Sequence, residues 1–113
     1  MHGLRDAAGK GDTQVRIAQA QRLAALSQSV SRGADFSVLC GDFNVLPDSK
    51  TFTILRRVGL IELIRDRDTR TSRYEKPVRH ANYLLVSDVS AVIRCDAPPE
   101  PEVSDHRFLE LEF

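Results

Sequence analysis

The chain has 113 residues, of which 42% are hydrophobic, an ordinary proportion for one compact domain. Sixteen Lys and Arg side chains balance sixteen Asp and Glu side chains, so the formal net charge is zero. A neutral chain lacks the overall positive field that attracts nucleic acids or anionic membranes, so any anion site must be local. No apolar run approaches membrane-spanning length, and the first residues do not form a signal peptide. These features predict a soluble, cytoplasmic protein of one domain, with no membrane partner.

Both cysteines, Cys40 and Cys95, lie in apolar runs without metal-ligand spacing. We expect two buried thiols in a reducing compartment, although a single pair of cysteines also permits a disulfide. The absence of a Cys–His cluster gives no indication of a zinc site.

The first half of the chain predicts a helix, a strand and a second helix. Apolar residues recur at three- and four-residue spacing over residues 13–31, after a turn that ends in two helix-capping residues. The apolar run 36–40 follows and predicts a strand buried on both faces. Pro47-Asp48-Ser49 predicts the start of a second helix over residues 50–58, and Gly59 predicts its end.

The second half predicts three strands connected by loops. Residues 83–87 and 91–95 are short apolar runs, and residues 109–113 alternate as a half-exposed strand does. Residues 97–103 contain three prolines and therefore predict a loop. Residues 60–63 are apolar but ambiguous between helix and strand.

This mixture of elements predicts an α/β (α+β) fold, with helices on one face of a mixed, mainly antiparallel sheet. The opposite face would expose the apolar run 36–40 to water. We therefore expect a partner subunit or a segment outside this chain to cover it, most simply a second copy in a homodimer.

Six cations lie within an Arg-rich segment, residues 65–79, which predicts a loop: Arg65, Arg67, Arg70, Arg73, Lys76 and Arg79. The planar fork of Arg suits phosphate oxygens. Acidic residues are interleaved, however, and a solvated loop is the simpler interpretation of this segment alone. A nucleic-acid-binding module is the weakest functional hypothesis, because the net charge is zero and aromatic residues are few.

Two polar clusters interrupt the apolar pattern at predicted strand ends, where ligand sites often form. They are Gly41-Asp42-Phe43-Asn44 and Ser104-Asp105-His106-Arg107. A carboxylate and an amide two residues apart can hold a water and a substrate oxygen. An Asp–His pair can supply a metal ligand or a proton-transfer group. Taken singly, either cluster is also compatible with a turn or a local cap.

Together and in this order, the clusters resemble the endonuclease/exonuclease/phosphatase superfamily, which includes pancreatic deoxyribonuclease, abasic-site endonucleases, neutral sphingomyelinases and inositol polyphosphate 5-phosphatases. Residues 41–49 match its Gly-Asp-Phe-Asn turn, and residues 104–107 match its terminal Ser-Asp-His. Residues 79–83 match its Asp-Tyr strand entry with one departure. The resemblance implies that residues 1–113 form the C-terminal half of such a domain, half of a four-layer α/β/β/α sandwich.

The resemblance also implies a role for each matching side chain. Asp42 would orient or deprotonate the attacking water, and with Asp105 it would lie near a divalent cation. Asn44 would bind the phosphoryl oxygen and stabilise the charge that develops there. His106, as an imidazolium, would contact the same phosphate. His2 falls where many members place a histidine beside the scissile phosphate.

Phosphoester hydrolysis requires mainly positioning and charge neutralisation, and oxygen ligands indicate Mg²⁺ or Mn²⁺. Asn82 stands where the family has an Asp that pairs with the terminal histidine. Its amide can orient the His106 imidazole but cannot stabilise imidazolium by charge.

The family's first half supplies a metal-binding Glu and an early Asn, and neither has a counterpart upstream of His2. We therefore expect a divalent-metal-dependent phosphoesterase that is incomplete within these residues, with metal binding weak or absent. The alternative is a non-catalytic fragment or degenerate paralogue that self-associates through its exposed sheet. The sequence does not discriminate among DNA, RNA, lipid head groups and inositol phosphates as substrates.

Overall fold

The computed structural model describes residues 1–5, 7, 9–65, 67–80 and 82–113. Asp66 of the Arg-rich segment and Ala81 of the 79–83 match lie outside the described residues. The elements are α1 (Gln14–Val30), β1 (Val38–Asp42), α2 (Lys50–Arg56), β2 (Ile61–Glu62), β3 (Asn82–Val86), a 3₁₀ turn (Val89–Ala91), β4 (Arg94–Asp96) and β5 (Glu110–Glu112). The fold is mixed α+β, as predicted. No helix within the described residues is long and apolar enough to span a bilayer.

Both helices begin at the predicted caps. The Thr13 side chain accepts a hydrogen bond from Arg16 N, and Ser49 Oγ accepts one from Thr51 N at 3.1 Å. Asp12, the residue before the Thr13 cap, binds the start of α2: its carboxylate accepts from Ser49 Oγ at 2.6 Å and from Lys50 N at 3.0 Å. One short segment therefore fixes the start of both helices.

Helix α2 is shorter than the predicted 50–58, because the chain leaves the helix through a glycine turn. Gly59 has φ 87°, a left-handed conformation that favours glycine. The Leu60 amide closes the turn by donating to Leu55 O at 3.1 Å. The ambiguous residues 60–63 then contain the short strand β2.

Three of the strands form an antiparallel sheet in the order β1-β3-β2. Alternate side chains of β3 point to opposite faces. Tyr83 and Leu85 belong to a buried cluster with Phe43 and with residues of both helices, so the helices cover one face as predicted. Phe52 of α2 packs against the Tyr83 ring at a centroid distance of 4.6 Å.

The opposite face of the sheet is covered in part by the chain itself. Leu84 and Val86 form a second buried cluster, against which Cys95 of β4 and Leu111 of β5 pack. Strands β4 and β5 pair antiparallel as a separate two-stranded sheet. The β3 side of this face is therefore covered by β4 and β5 of the same chain.

The prediction of a strand over 36–40 buried on both faces was wrong. The strand begins two residues later, and it lies at a sheet edge, where Val38 is 43% exposed. The thiol of Cys40 is exposed rather than buried, and both cysteines are free. An apolar run alone does not distinguish an edge strand from a central one.

The later strands differ from their predictions by small shifts, with one larger error. Strands β3 and β5 lie within two residues of the predicted 83–87 and 109–113. The predicted strand 91–95 instead starts as the 3₁₀ turn, capped by Asp88, whose Oδ1 accepts from Ser90 N at 2.8 Å. This hydrogen bond from the backbone to the Asp88 side chain favours a turn over an extended strand, as Asp side chains commonly do.

The Arg-rich segment is a loop that the chain holds in place by pairing with residues near the C-terminus. Thr71 N donates to Asp105 O at 3.0 Å, and Arg107 N donates to Thr69 O at 2.9 Å. Within the segment, the Arg70 guanidinium binds Asp68 through contacts of 2.9 and 2.7 Å. It is therefore more ordered than a freely solvated loop.

Substituting Leu85→Ala should lower the free energy of unfolding by about 2–5 kcal/mol, because Leu85 is fully buried and its truncation leaves a cavity. Urea denaturation followed by circular dichroism measures this change. Leu26→Ala is the matched control, since Leu26 is 58% exposed on α1, and should change stability by less than about 0.5 kcal/mol. Equal effects of the two substitutions would contradict the assignment of the core.

Substituting Asp68→Asn should lower the thermal midpoint clearly at pH 6 and much less near pH 2. The hydrogen bonds from Arg70 lower the pKa of Asp68 from 3.8 to about 2. A carboxyl group whose pKa is lower in the folded state stabilises the fold at pH values above its pKa in the unfolded chain. That contribution is lost as the pH falls through its pKa in the folded state. Calorimetry at both pH values measures the difference, with exposed Asp35→Asn as the control. An Asp68→Asn effect of equal size at pH 6 and pH 2 would contradict the ion pair.

Candidate functional site

The first three residues pair with the end of β1 along its outer edge. Asp42 N donates to Met1 O at 3.0 Å, and His2 forms a parallel bridge with Asp42. This approach requires Gly41, since a Cβ there would overlap the Met1 backbone and its φ of 142° is in a region that favours glycine. The pairing places His2 Nε2 3.9 Å from Asp42 Oδ2. His2 therefore lies beside Asp42.

The turn after β1 orients Asn44. Asn44 adopts φ 53°, which Asn tolerates better than most residues, and its backbone N donates to Asp42 Oδ1 at 2.8 Å. Between them, Phe43 points into the core and is 2% exposed. Asn44 Nδ2 donates to Gly3 O at 2.9 Å. An amide nitrogen carries two hydrogens, so this bond leaves one for a ligand.

The register of the sheet places Asp42 directly opposite Asn82. Asn82 Nδ2 donates to Arg107 O at 3.0 Å, which fixes the orientation of the amide. Its Oδ1 is then the atom that lies 2.9 Å from His106 Nδ1. Because Oδ1 only accepts, Nδ1 must carry a proton, and the remaining nitrogen of His106, Nε2, is the one available for a ligand or a proton.

His106 is held from several sides, whereas Asp105 is open to solvent. The His106 ring packs edge-on against Tyr74 at a centroid distance of 5.3 Å, and its backbone N donates to Ser104 Oγ at 3.1 Å. The Asp105 side chain is 59% exposed, and its Oδ2 lies 3.8 Å from His106 Nε2. The structure thus groups the predicted residues in two linked sets, Asp42 with His2 and Asn44, and Asn82 with His106 and Asp105.

Asp42 and Asp105, the predicted metal ligands, provide the carboxylate oxygens that hard cations prefer. Mg²⁺ is commonly held by one or two carboxylates together with water and substrate phosphates. Within the described ranges, no group of three or more His, Cys, Asp or Glu side chains is arranged to hold a metal ion. A site built from protein ligands alone is therefore not complete in these residues.

Sequence reasoning missed Lys10. Lys10 Nζ donates to Tyr74 Oη at 3.3 Å and to the carbonyl oxygen of His80. Burial lowers the pKa of Lys10, against the opposing field of Asp42. Lys10 lies in a Gly-rich turn whose sequence carries no motif, so only the fold brings it to the site.

Comparison with known proteins finds no matching family model, no similar curated protein and no similar solved structure. The site is therefore defined by its own geometry: a carboxylate, an oriented imidazole and two amides at the shared end of β1 and β3.

Proposed function

We propose that this chain carries the water-activating and imidazole side of a divalent-metal-dependent phosphoesterase, which hydrolyses phosphodiesters or phosphomonoesters. The observation that supports it best is the line from Asp42, across the sheet to Asn82, and on to His106 through a bond of 2.9 Å. These residues come from three segments far apart in sequence. Their convergence at one strand end is what the resemblance to the endonuclease/exonuclease/phosphatase superfamily implies.

In this proposal Asp42 orients or deprotonates the attacking water. Its side chain is only 11% exposed and faces the His2 imidazole. Asn44, with one amide hydrogen left, donates to a phosphoryl oxygen, and His106 contacts the same phosphate through Nε2. Positioned donors of this kind stabilise charge that develops in the transition state without reorganising.

The cation proposed for this reaction is Mg²⁺ or Mn²⁺. When bound, it would neutralise phosphate charge and activate an oxygen, and Asp42 and Asp105 are the described residues suited to contact it. The metal-binding Glu of the family has no counterpart here, so we propose that a segment outside residues 1–113 supplies it.

Substituting Asp42→Asn should reduce the residual turnover of a generic phosphodiester by this incomplete site, measured for example with bis(4-nitrophenyl) phosphate and Mg²⁺, by about 100-fold or more. The amide keeps the shape of the carboxylate but cannot accept a proton from water. Initial rates at saturating metal measure the effect. Asp35→Asn, an exposed acid outside the site, is the matched control and should leave the rate unchanged. Turnover that survives Asp42→Asn would refute the role of Asp42.

Substituting Asn82→Asp should restore the carboxylate that the family places beside the histidine. An opposite charge within hydrogen-bond distance favours the charged imidazole, so His106 should stay protonated to a pH higher by about one unit or more. Proton NMR of the His106 ring, recorded without added metal, measures this midpoint. Asn82→Ala, which removes the hydrogen bond and adds no charge, is the control. A midpoint that is the same in the Asp and Ala variants would contradict the contact.

A non-catalytic fragment that self-associates is the second candidate, and exposed apolar residues favour it. Leu26 and Val30 of α1 and Val38 of β1 are 58%, 71% and 43% exposed, and all three line one groove between α1 and the start of β1. This candidate predicts a dimer by light scattering and no metal-dependent turnover, which separates it from the phosphoesterase.

A further inference from the structure

The surroundings of Lys10 are unusual for a lysine that is partly buried. Its ammonium donates to a carbonyl oxygen, of His80, and to a hydroxyl, of Tyr74. None of the ion pairs within 4.0 Å among the described residues includes it. An ammonium carries three hydrogens, so two partners leave one donor free. Removing an ammonium from water is costly unless an anion compensates, and neutral partners compensate only in part.

Tyr74 connects Lys10 to the candidate site. Its hydroxyl accepts from Lys10 at 3.3 Å, and its ring lies 5.8 Å from the Lys10 ammonium and 5.3 Å from the His106 ring. Burial raises the pKa of Tyr74, and the charges of Asp42 and Asp105 raise it further. The hydroxyl therefore keeps its proton near neutral pH. None of the described residues accepts that hydrogen, so it is available to a ligand.

Lys10 and Tyr74 lie near the groups proposed to act on the substrate, since the Tyr74 ring packs against that of His106. The charge of Asp42 acts to raise the pKa of Lys10, and the charges of Asp42 and Asp105 raise the pKa of Tyr74. A cation and a neutral hydroxyl beside two carboxylates offer an anion a place to bind that the carboxylates alone would repel. An ammonium and a hydroxyl donor together suit the oxygens of a phosphoryl group, which is the group that the proposed reaction supplies.

We propose that Lys10 and Tyr74 form a phosphate-binding pair, which holds a phosphoryl oxygen of the substrate next to Asp42 and His106. This inference rests on the proposed phosphoesterase function, because it assigns the substrate contact of the same site. The Lys10 ammonium neutralises phosphate charge, and the Tyr74 hydroxyl fixes the phosphate orientation against the His106 ring. Both residues bind the substrate and take no part in moving the proton.

The rival explanation is that Lys10 only fastens the turn before α1 to His80. A fastening role would affect stability, whereas a binding role affects affinity for an anion. Two substitutions separate these effects. Lys10→Met removes the charge and keeps most of the chain length, and Tyr74→Phe removes only the hydroxyl and keeps the ring on His106.

The experiment is a titration of the whole chain with inorganic phosphate, followed by two-dimensional NMR at constant ionic strength. We expect phosphate to shift the resonances of Tyr74 and His106. Lys10→Met should weaken phosphate binding about 10-fold, and Tyr74→Phe about threefold, as expected for losing a charged and a neutral hydrogen bond. Lys50→Met, which removes an exposed lysine on α2, is the matched control and should bind as the parent does. Thermal midpoints and amide dispersion verify that each variant is folded.

If Lys10→Met fails to fold, Tyr74→Phe and Lys10→Arg decide the outcome, since Arg keeps the charge and should retain binding. Phosphate affinity that is unchanged in Lys10→Met or Tyr74→Phe, or lowered equally by Lys50→Met, overturns the inference. Absence of phosphate binding to the parent chain overturns it as well. The phosphoesterase proposal is tested separately by the dependence of turnover on Asp42. Turnover that requires Asp42 but is indifferent to Lys10 would therefore reject the binding pair alone.

Discussion

The candidate site depends on the hydrogen bonds of the Asn82 side chain, because they join the sheet to the C-terminal segment. The position of Asn82 opposite Asp42 follows from the antiparallel register of β1 and β3. Its amide nitrogen is bound by Arg107 O, and its oxygen faces His106 Nδ1. A partly buried amide with both ends bound has one orientation, because a reversed amide would place its oxygen against Arg107 O and leave that carbonyl without its donor. The same contact therefore sets the position of His106 and its tautomer.

Backbone pairing supplies the second constraint on the site. The bonds of Met1 and Gly3 with Asp42 continue the sheet by a short parallel segment, which brings His2 to the Asp42 carboxylate. Gly41 permits this approach because it has no side chain to meet the Met1 backbone. In the Gly-Asp-Phe-Asn turn, the glycine thus permits the backbone pairing, and the phenylalanine packs in the core. The aspartate and the asparagine place their side chains in the candidate site. Each residue type in the motif has its own physical reason.

The sequence was informative where a local rule fixes the structure. Thr13 and Ser49 cap their helices and Gly59 ends α2, because these effects depend only on neighbouring residues. It was uninformative where the outcome depends on distant segments. The exposure of Cys40 depends on how far β4 and β5 reach across the sheet, and nothing in the apolar run around Cys40 encodes that reach. Lys10 was missed for the same reason, since its neighbours Tyr74 and His80 are more than sixty residues away.

The Arg-rich segment shows why a local cluster of cations did not indicate where an anion would bind. The guanidinium of Arg70 is bound to Asp68, that of Arg67 donates to Cys95 O at 2.7 Å, and that of Arg107, outside the segment, donates to Arg70 O at 2.7 Å. These contacts hold the loop against the C-terminal strands and occupy part of the donors of the three guanidinium groups. A phosphoryl group at the site would instead meet donors that the fold leaves partly free, which are Asn44, Lys10 and Tyr74. In a chain with no net charge, the donors that the fold leaves unsatisfied matter more for a local anion site than the number of basic residues nearby.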